Sequence, residues 1–256
     1  MAGEYPPRGV AAAVAGPAPA TGRPGFWACL AAIRRPELYR NFVVHLFVMA
    51  PGVVAMCLLA RRVDAGLGLG RWIELPAAAW LGAAMVGLGG FSVWYVYGYL
   101  FLAGQGSPGT HVDGGPTVLV DHGPYTLIRH PSVPGKFLAA AGVGVIFGSP
   151  SFLVGFLPLL LLYSLLTNRY LQEPLCDQRF GELYARYRRA VPMVVPRPSG
   201  VARWLRGQAA VDADGRPSVG EPPPAARFEL LWYLLGLAGM ILLFASLALL
   251  ASGWAG

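Results

Sequence analysis

Apolar residues run along this chain in long unbroken blocks, and the blocks set the elements to expect. Those at 42–60, 75–103 and 228–252 approach or exceed the roughly 18 to 20 apolar residues that carry a helix across a ~30 Å hydrocarbon core. Two further blocks, 133–148 and 152–170, are shorter and are separated only by "GSP" (148–150). That pair reads as a tight helical hairpin whose first arm barely spans. The pattern predicts an all-α, polytopic membrane protein with about five transmembrane helices, the third the shortest.

Composition agrees: 55% of the residues are hydrophobic, 13% are charged, and the mean hydropathy is +0.51. The first 25 residues are rich in Ala, Pro and Gly and lack the continuous apolar core of a cleaved signal peptide, so they read as a disordered cytoplasmic tail. A polar, proline-rich stretch at 207–227 reads as a linker. The chain then divides into a tail (1–25), two membrane helices (26–103), a central unit (104–198), a linker (199–227) and a last membrane helix (228–256).

Arginines give the orientation, because positive residues near helix ends stay on the cytoplasmic side. Arg34, Arg35 and Arg40 precede the first membrane helix, while Arg169, Arg179, Arg186, Arg188, Arg189, Arg197, Arg203 and Arg206 follow the fourth. The N-terminus, the 121–131 loop and the basic segment then face the cytoplasm. Arg61, Arg62 and Arg71 in the first outer loop count against this, partly offset by Asp64 and Glu74. The net charge of +7 is explained by topology and anionic lipid headgroups, and nothing calls for nucleic acid. Arginine-heavy, alanine-rich usage suggests a bacterial plasma membrane.

Several patterns carry less than they first suggest. Cys29, Cys57 and Cys176 have neither zinc-ligand nor disulfide spacing, so no metal is expected. "GLGLGRW" (66–72) lacks the strand that a dinucleotide loop needs before it, and "GQGSPGT" (104–110) lacks the lysine of a phosphate loop. "GLGG" (87–90) lies inside an apolar block, where small residues let helix backbones approach.

Polar chemistry concentrates in two places. "DHGPYTLIRHP" (121–131) sets an acid, two histidines, an arginine and a tyrosine among two prolines and a glycine, so it is a shaped loop and not one helix. The second is "NRYLQEPLCDQRFGELYARYRRAVPMVVPRP" (168–198), where Glu173 lies just past an apolar run and needs a partner, Arg169 being the nearest in sequence. Beyond it, Phe180, Leu183, Tyr184, Tyr187 and Val191 share one side at helical spacing, with arginines tending to the other. This describes an amphipathic helix on the inner membrane surface, its tyrosines by default facing a core.

"GPYTLIRHPSVPG" (123–135) followed by "QEPLCDQRFGELYARYRRAVPMVVPRP" (172–198) resembles the signature of the isoprenylcysteine carboxyl methyltransferase and phospholipid methyltransferase superfamily. The likeness covers roughly 104–198, under half the chain. It departs where the family's common "HPMYLG" is "HPSVPG", with Val133 in place of a tyrosine, and where a frequent Glu-Glu pair is Gln172 and Glu173.

The resemblance implies an integral-membrane enzyme that uses S-adenosyl-L-methionine to methylate a lipophilic acceptor, such as a prenylcysteine-like carboxylate, at the inner membrane surface. It assigns Arg129, His130 and Glu173 to catalysis. His122, Gly123, Pro124, Tyr125, His130, Pro131, Glu173, Tyr184 and Tyr187 are assigned to holding the cofactor. Arg129, or loop amides near His130, would take the cofactor's carboxylate, and Glu173 its ammonium or a ribose hydroxyl. An amine or hydroxyl acceptor would make His130 or His122 a candidate base; a carboxylate acceptor needs none. Competing readings are methylation of a phospholipid amine or other lipid, and a non-catalytic membrane scaffold of the same fold. A transporter fits less well, since His45 is the lone ionisable residue deep in a predicted helix.

Overall fold

The computed structural model describes residues 23–72, 76–105 and 116–211. Most of the expected tail, most of the 104–110 glycine string, most of the linker and the whole 228–252 block lie outside the described residues. Within them every regular element is helical and no extended strand forms.

A short α1 (Phe26–Ala31) leads into α2 (Pro36–Gly66), which Pro36 opens with a ring already set for helical φ. The block at 42–60 falls inside α2, which runs on to 31 residues with Pro51 in its interior. Next come α3 (Ala77–Gly104) and, after the 121–131 loop, α4 (Ser132–Phe147). A turn at Gly148, whose φ of 60° suits glycine, reverses the chain, as the "GSP" spacing predicts.

One continuous helix, Phe152–Phe180, then contains α5 (Leu157–Thr167) and α6 (Glu173–Phe180). Two π-turns interrupt it, Phe152–Phe156 and Asn168–Gln172. Each ends two residues before a proline, Pro158 or Pro174. Proline has no amide to donate and its ring crowds the carbonyl four residues back, so a widened turn lets the helix pass it unbroken.

Among the described residues, two helices are long and apolar enough to cross a membrane, Ala77–Gly104 and Phe152–Phe180. At 16 residues α4 is about 24 Å long, short of a full crossing, as the short block predicts. It packs along α3 through glycines. Gly82 faces Gly142, and Gly89 faces Gly135, a two-turn repeat on both helices that brings backbone against backbone. Of the 87–90 glycines only Gly89 makes this contact; Gly87 and Gly90 face open space.

Two cores result. One gathers Met56, Cys57, Ala60, Ala140, Phe152, Phe156 and Leu157 between α2, α4 and α5. Beside it, the fully buried Asp64 on α2 accepts from the Ser149 hydroxyl (2.6 Å) and the Ser151 amide (2.9 Å), tying α2 to the hairpin turn. The other core lies under the 121–131 loop and includes Cys29, Leu38, Val96, Tyr97, Tyr99, Tyr125, Phe180, Tyr184, Tyr187 and Val191.

The second polar segment departs from the single surface helix expected. Gly181 (φ 55°) breaks it into α6 and α7 (Glu182–Ala190). Phe180, Tyr184, Tyr187 and Val191 are spent on the protein's own core, with the tyrosines of α3 and the loop to pack against, and so do not rest on a bilayer. The apolar face left open belongs to α8 (Pro198–Arg206), where Val201, Trp204 and Leu205 are exposed.

Candidate functional site

The loop begins with His122 in extended geometry and Gly123 at φ 59°, after which Gly123–Thr126 closes a single 3-10 turn. The Thr126 hydroxyl donates to the Gly123 carbonyl at 2.7 Å, and the Tyr125 and Leu127 amides donate to His122 and Pro124. A side chain at Gly123 would run into the ring and hydroxyl of Tyr99, so glycine is required there for space as well as for φ. The buried Pro131 then sits at the N-cap of α4.

The two polar segments meet. The Arg129 amide donates to the Pro192 carbonyl (2.9 Å) and the His130 amide to Met193 (3.2 Å), which lays the loop along the chain that leaves α7. The Arg129 guanidinium donates through Nε (2.9 Å) and Nη2 (2.6 Å) to Glu173 Oε1, and through Nη1 to the carbonyls of Arg188 and Val191. Glu173, 1% exposed, takes a further bond on Oε2 from Arg169 Nη1 at 2.8 Å. The π-turn directly before Glu173 shifts the helix register at this point, and such turns recur where a helix must aim a polar residue.

The Nε2 atom of His130 lies 3.6 Å from Glu173 Oε1, too far for a hydrogen bond, and is buried without a partner. Burial pulls this imidazole below its ordinary pKa of 6.5, with Glu173 opposing the shift and Arg129 and Lys136 adding to it. It is therefore neutral at physiological pH.

A group of aromatic rings covers the other side of the loop. The Tyr187 hydroxyl donates to the Tyr125 carbonyl at 2.8 Å, and the Tyr184 ring packs against Tyr187 with centroids 5.9 Å apart. Tyr99 contacts the rings of both His122 (5.7 Å) and Tyr125 (6.5 Å). Burial raises the pKa of Tyr125, Tyr184 and Tyr187, so all three stay protonated. His122 Nδ1 lies 3.5 Å from the buried Asp121, away from the Arg129 and Glu173 pair in its immediate contacts.

The structure thus joins Arg129, His130 and Glu173 directly, and links Tyr125 to Tyr184 and Tyr187 in a second group with His122 and Gly123 attached through Tyr99. The amides of residues 129 and 130 and four of the five N–H groups of Arg129 already have acceptors within the chain. Two of these bonds hold Oε1 of Glu173 in place. Tyr99 escaped the sequence reading. It is 2% exposed, its hydroxyl has no partner, and within an apolar block a tyrosine looks like any interfacial aromatic. Its spacing from Phe91 and Tyr95, four residues each, was the available signal. No cluster of three or more potential metal ligands exists among the described residues. Comparison with protein-family models, curated protein sequences and solved structures gives no match.

Proposed function

We propose that the chain is an integral-membrane methyltransferase that transfers a methyl group from S-adenosyl-L-methionine to a lipophilic acceptor. The observation that carries this reading is the convergence of the two motif segments on one buried carboxylate, Glu173, with the unpartnered His130 Nε2 beside it. Five crossings, with the 228–252 block as the last, would set this centre at the inner edge of a bacterial plasma membrane.

The donor set fits the cofactor in two respects. Arg169, which closes Oε2 of Glu173, has a side chain 51% exposed, so it can swing aside and free that oxygen for an ammonium or a ribose hydroxyl. His130 Nε2 offers a buried nitrogen with no hydrogen-bond partner in the chain, a state uncommon in native interiors and one that a ligand at this position would complete. S-adenosyl-L-methionine supplies, when bound, an activated methyl on a sulfonium. The protein's share is to orient this group, exclude water and hold the acceptor near it. Arg129 fixes Glu173, and the ring group of Tyr99, Tyr125, Tyr184 and Tyr187 walls the loop in apolar surface. A carboxylate acceptor, prenylcysteine-like, needs no base. For a phospholipid amine, neutral His130 can take the proton.

Engagement of all three Arg129 nitrogens within the chain favours a second reading, a membrane scaffold in which the same ion pair serves only to hold the segments together. Calorimetric titration of detergent-purified full chain with S-adenosyl-L-methionine separates the two. Binding at about micromolar affinity, weakened by Glu173→Gln and by His130→Ala, supports the enzyme. A folded wild type that does not bind the cofactor, with lipid present, leaves the scaffold.

A further inference from the structure

Helix α6 carries a second buried charge that the proposed site does not use. Arg179 is 4% exposed, and its Nε and Nη1 are both buried without a hydrogen-bond partner. A guanidinium keeps its proton at any pH that leaves a protein folded, so neutralisation cannot relieve the burial. A buried charge with no counter-charge is costly, and native interiors supply one.

The acids nearest in sequence are all engaged elsewhere. Between residues 168 and 191 the chain holds five arginines and three acids. Glu173 binds Arg129 and Arg169, Asp177 binds Arg188 at 2.7 Å, and Glu182 binds Arg189 at 2.7 Å. Arg186, also without an acid among the described pairs, is exposed, so water satisfies it. Among the described arginines, Arg179 alone combines deep burial with donors left open.

We infer that Arg179 is an anion-binding residue whose open donors receive an oxygen of a carboxylate or phosphate brought by a ligand. The buried Leu175 and Phe180 on the same helix make the surroundings apolar, so the anion best suited to them is the headgroup of an acidic amphipath. Arg179 follows Glu173 by six residues, about 9 Å of helix rise. The inference stands on the orphaned guanidinium and does not require methyl transfer.

The test is thermal unfolding of the full chain in a neutral maltoside detergent, titrated with laurate, dodecyl phosphate, inorganic phosphate and, as the cationic control, dodecyltrimethylammonium. Wild type and Arg186→Gln should gain melting temperature saturably with an anion and not with the cation. Arg179→Gln and Arg179→Met should lose at least tenfold in apparent affinity while unfolding, without ligand, no earlier than wild type. An effect of the dodecyl anions alone identifies a lipid headgroup as the source, and an equal effect of inorganic phosphate identifies a free oxyanion. The inference is overturned if no anion protects wild type, or if either Arg179 variant responds as wild type does. Failure of both variants to fold also overturns it, since removing a charge that lacks a partner should not unfold the chain.

Discussion

Arg129 places two donors, Nε and Nη2, on a single oxygen of Glu173, and its remaining nitrogen spans the Arg188 and Val191 carbonyls. One side chain therefore fastens the 121–131 loop to α6 and to the end of α7. Removing it leaves the buried Glu173 with only the half-exposed Arg169, so Arg129→Ala should cost up to about 3 to 5 kcal/mol. The double variant with Glu173→Ala should cost less than the sum of the singles by about 0.5 to 3 kcal/mol. Denaturant unfolding in detergent measures both; strictly additive singles would mean the pair is not formed.

The approach of α3 and α4 should respond unequally to the same substitution at neighbouring glycines. A methyl at Gly89 meets the Gly135 carbonyl and the Ala139 amide, backbone atoms that cannot turn away, whereas one at Gly87 meets nothing. Gly89→Ala should therefore destabilise by about 1 to 3 kcal/mol through overpacking. Gly87→Ala should be neutral or slightly stabilising, because alanine is the better helix former. Melting temperatures of the two variants, compared side by side, decide it.

At the other end of the bundle Asp64 does for the hairpin turn what Arg129 does for the loop. Its carboxylate holds Ser149 and the Ser151 amide in full burial. Charged hydrogen bonds are worth about 1.5 to 3 kcal/mol each, so Asp64→Ala should cost at least about 2 kcal/mol. Hydrogen exchange at residues 148–152 should speed up more than elsewhere. Uniform acceleration across the chain would assign the loss to global unfolding instead.

The sequence made legible what depends on local pattern. The "GSP" turn, the shaped loop with its two prolines, the short α4 and the exceptional position of Glu173 were all visible as runs or interruptions of runs. Pairings made across space were not. Arg169, four residues from Glu173, was the partner in view and does pair with it at 2.8 Å, but the more deeply buried partner is Arg129, 44 residues away. The break at Gly181 was hidden because apolar spacing from Phe180 to Val191 survives it, and the same spacing could not say whether the covering surface is lipid or protein. Asp64 looked like a loop charge because nothing in its own neighbourhood announces that Ser149 will reach it.

His130 should make stability depend on pH in a known direction. Its burial lowers its folded-state pKa, helped by Arg129 and Lys136 and opposed by Glu173, with Arg169 on the far side of that carboxylate. Below the ordinary value of 6.5 the unfolded chain takes up a proton that the folded chain resists, so the unfolded state holds more protons and is favoured. The contribution of neutral His130 is thus complete above about pH 6.5 and is lost as pH falls toward the lowered folded value, with a slope of at most about 1.4 kcal/mol per pH unit. Unfolding free energies between about pH 5 and 7.5 should show this decline in wild type and a flatter profile in His130→Gln. An unchanged slope in the variant would shift the effect to another group and remove the reason to treat this imidazole as a neutral proton acceptor.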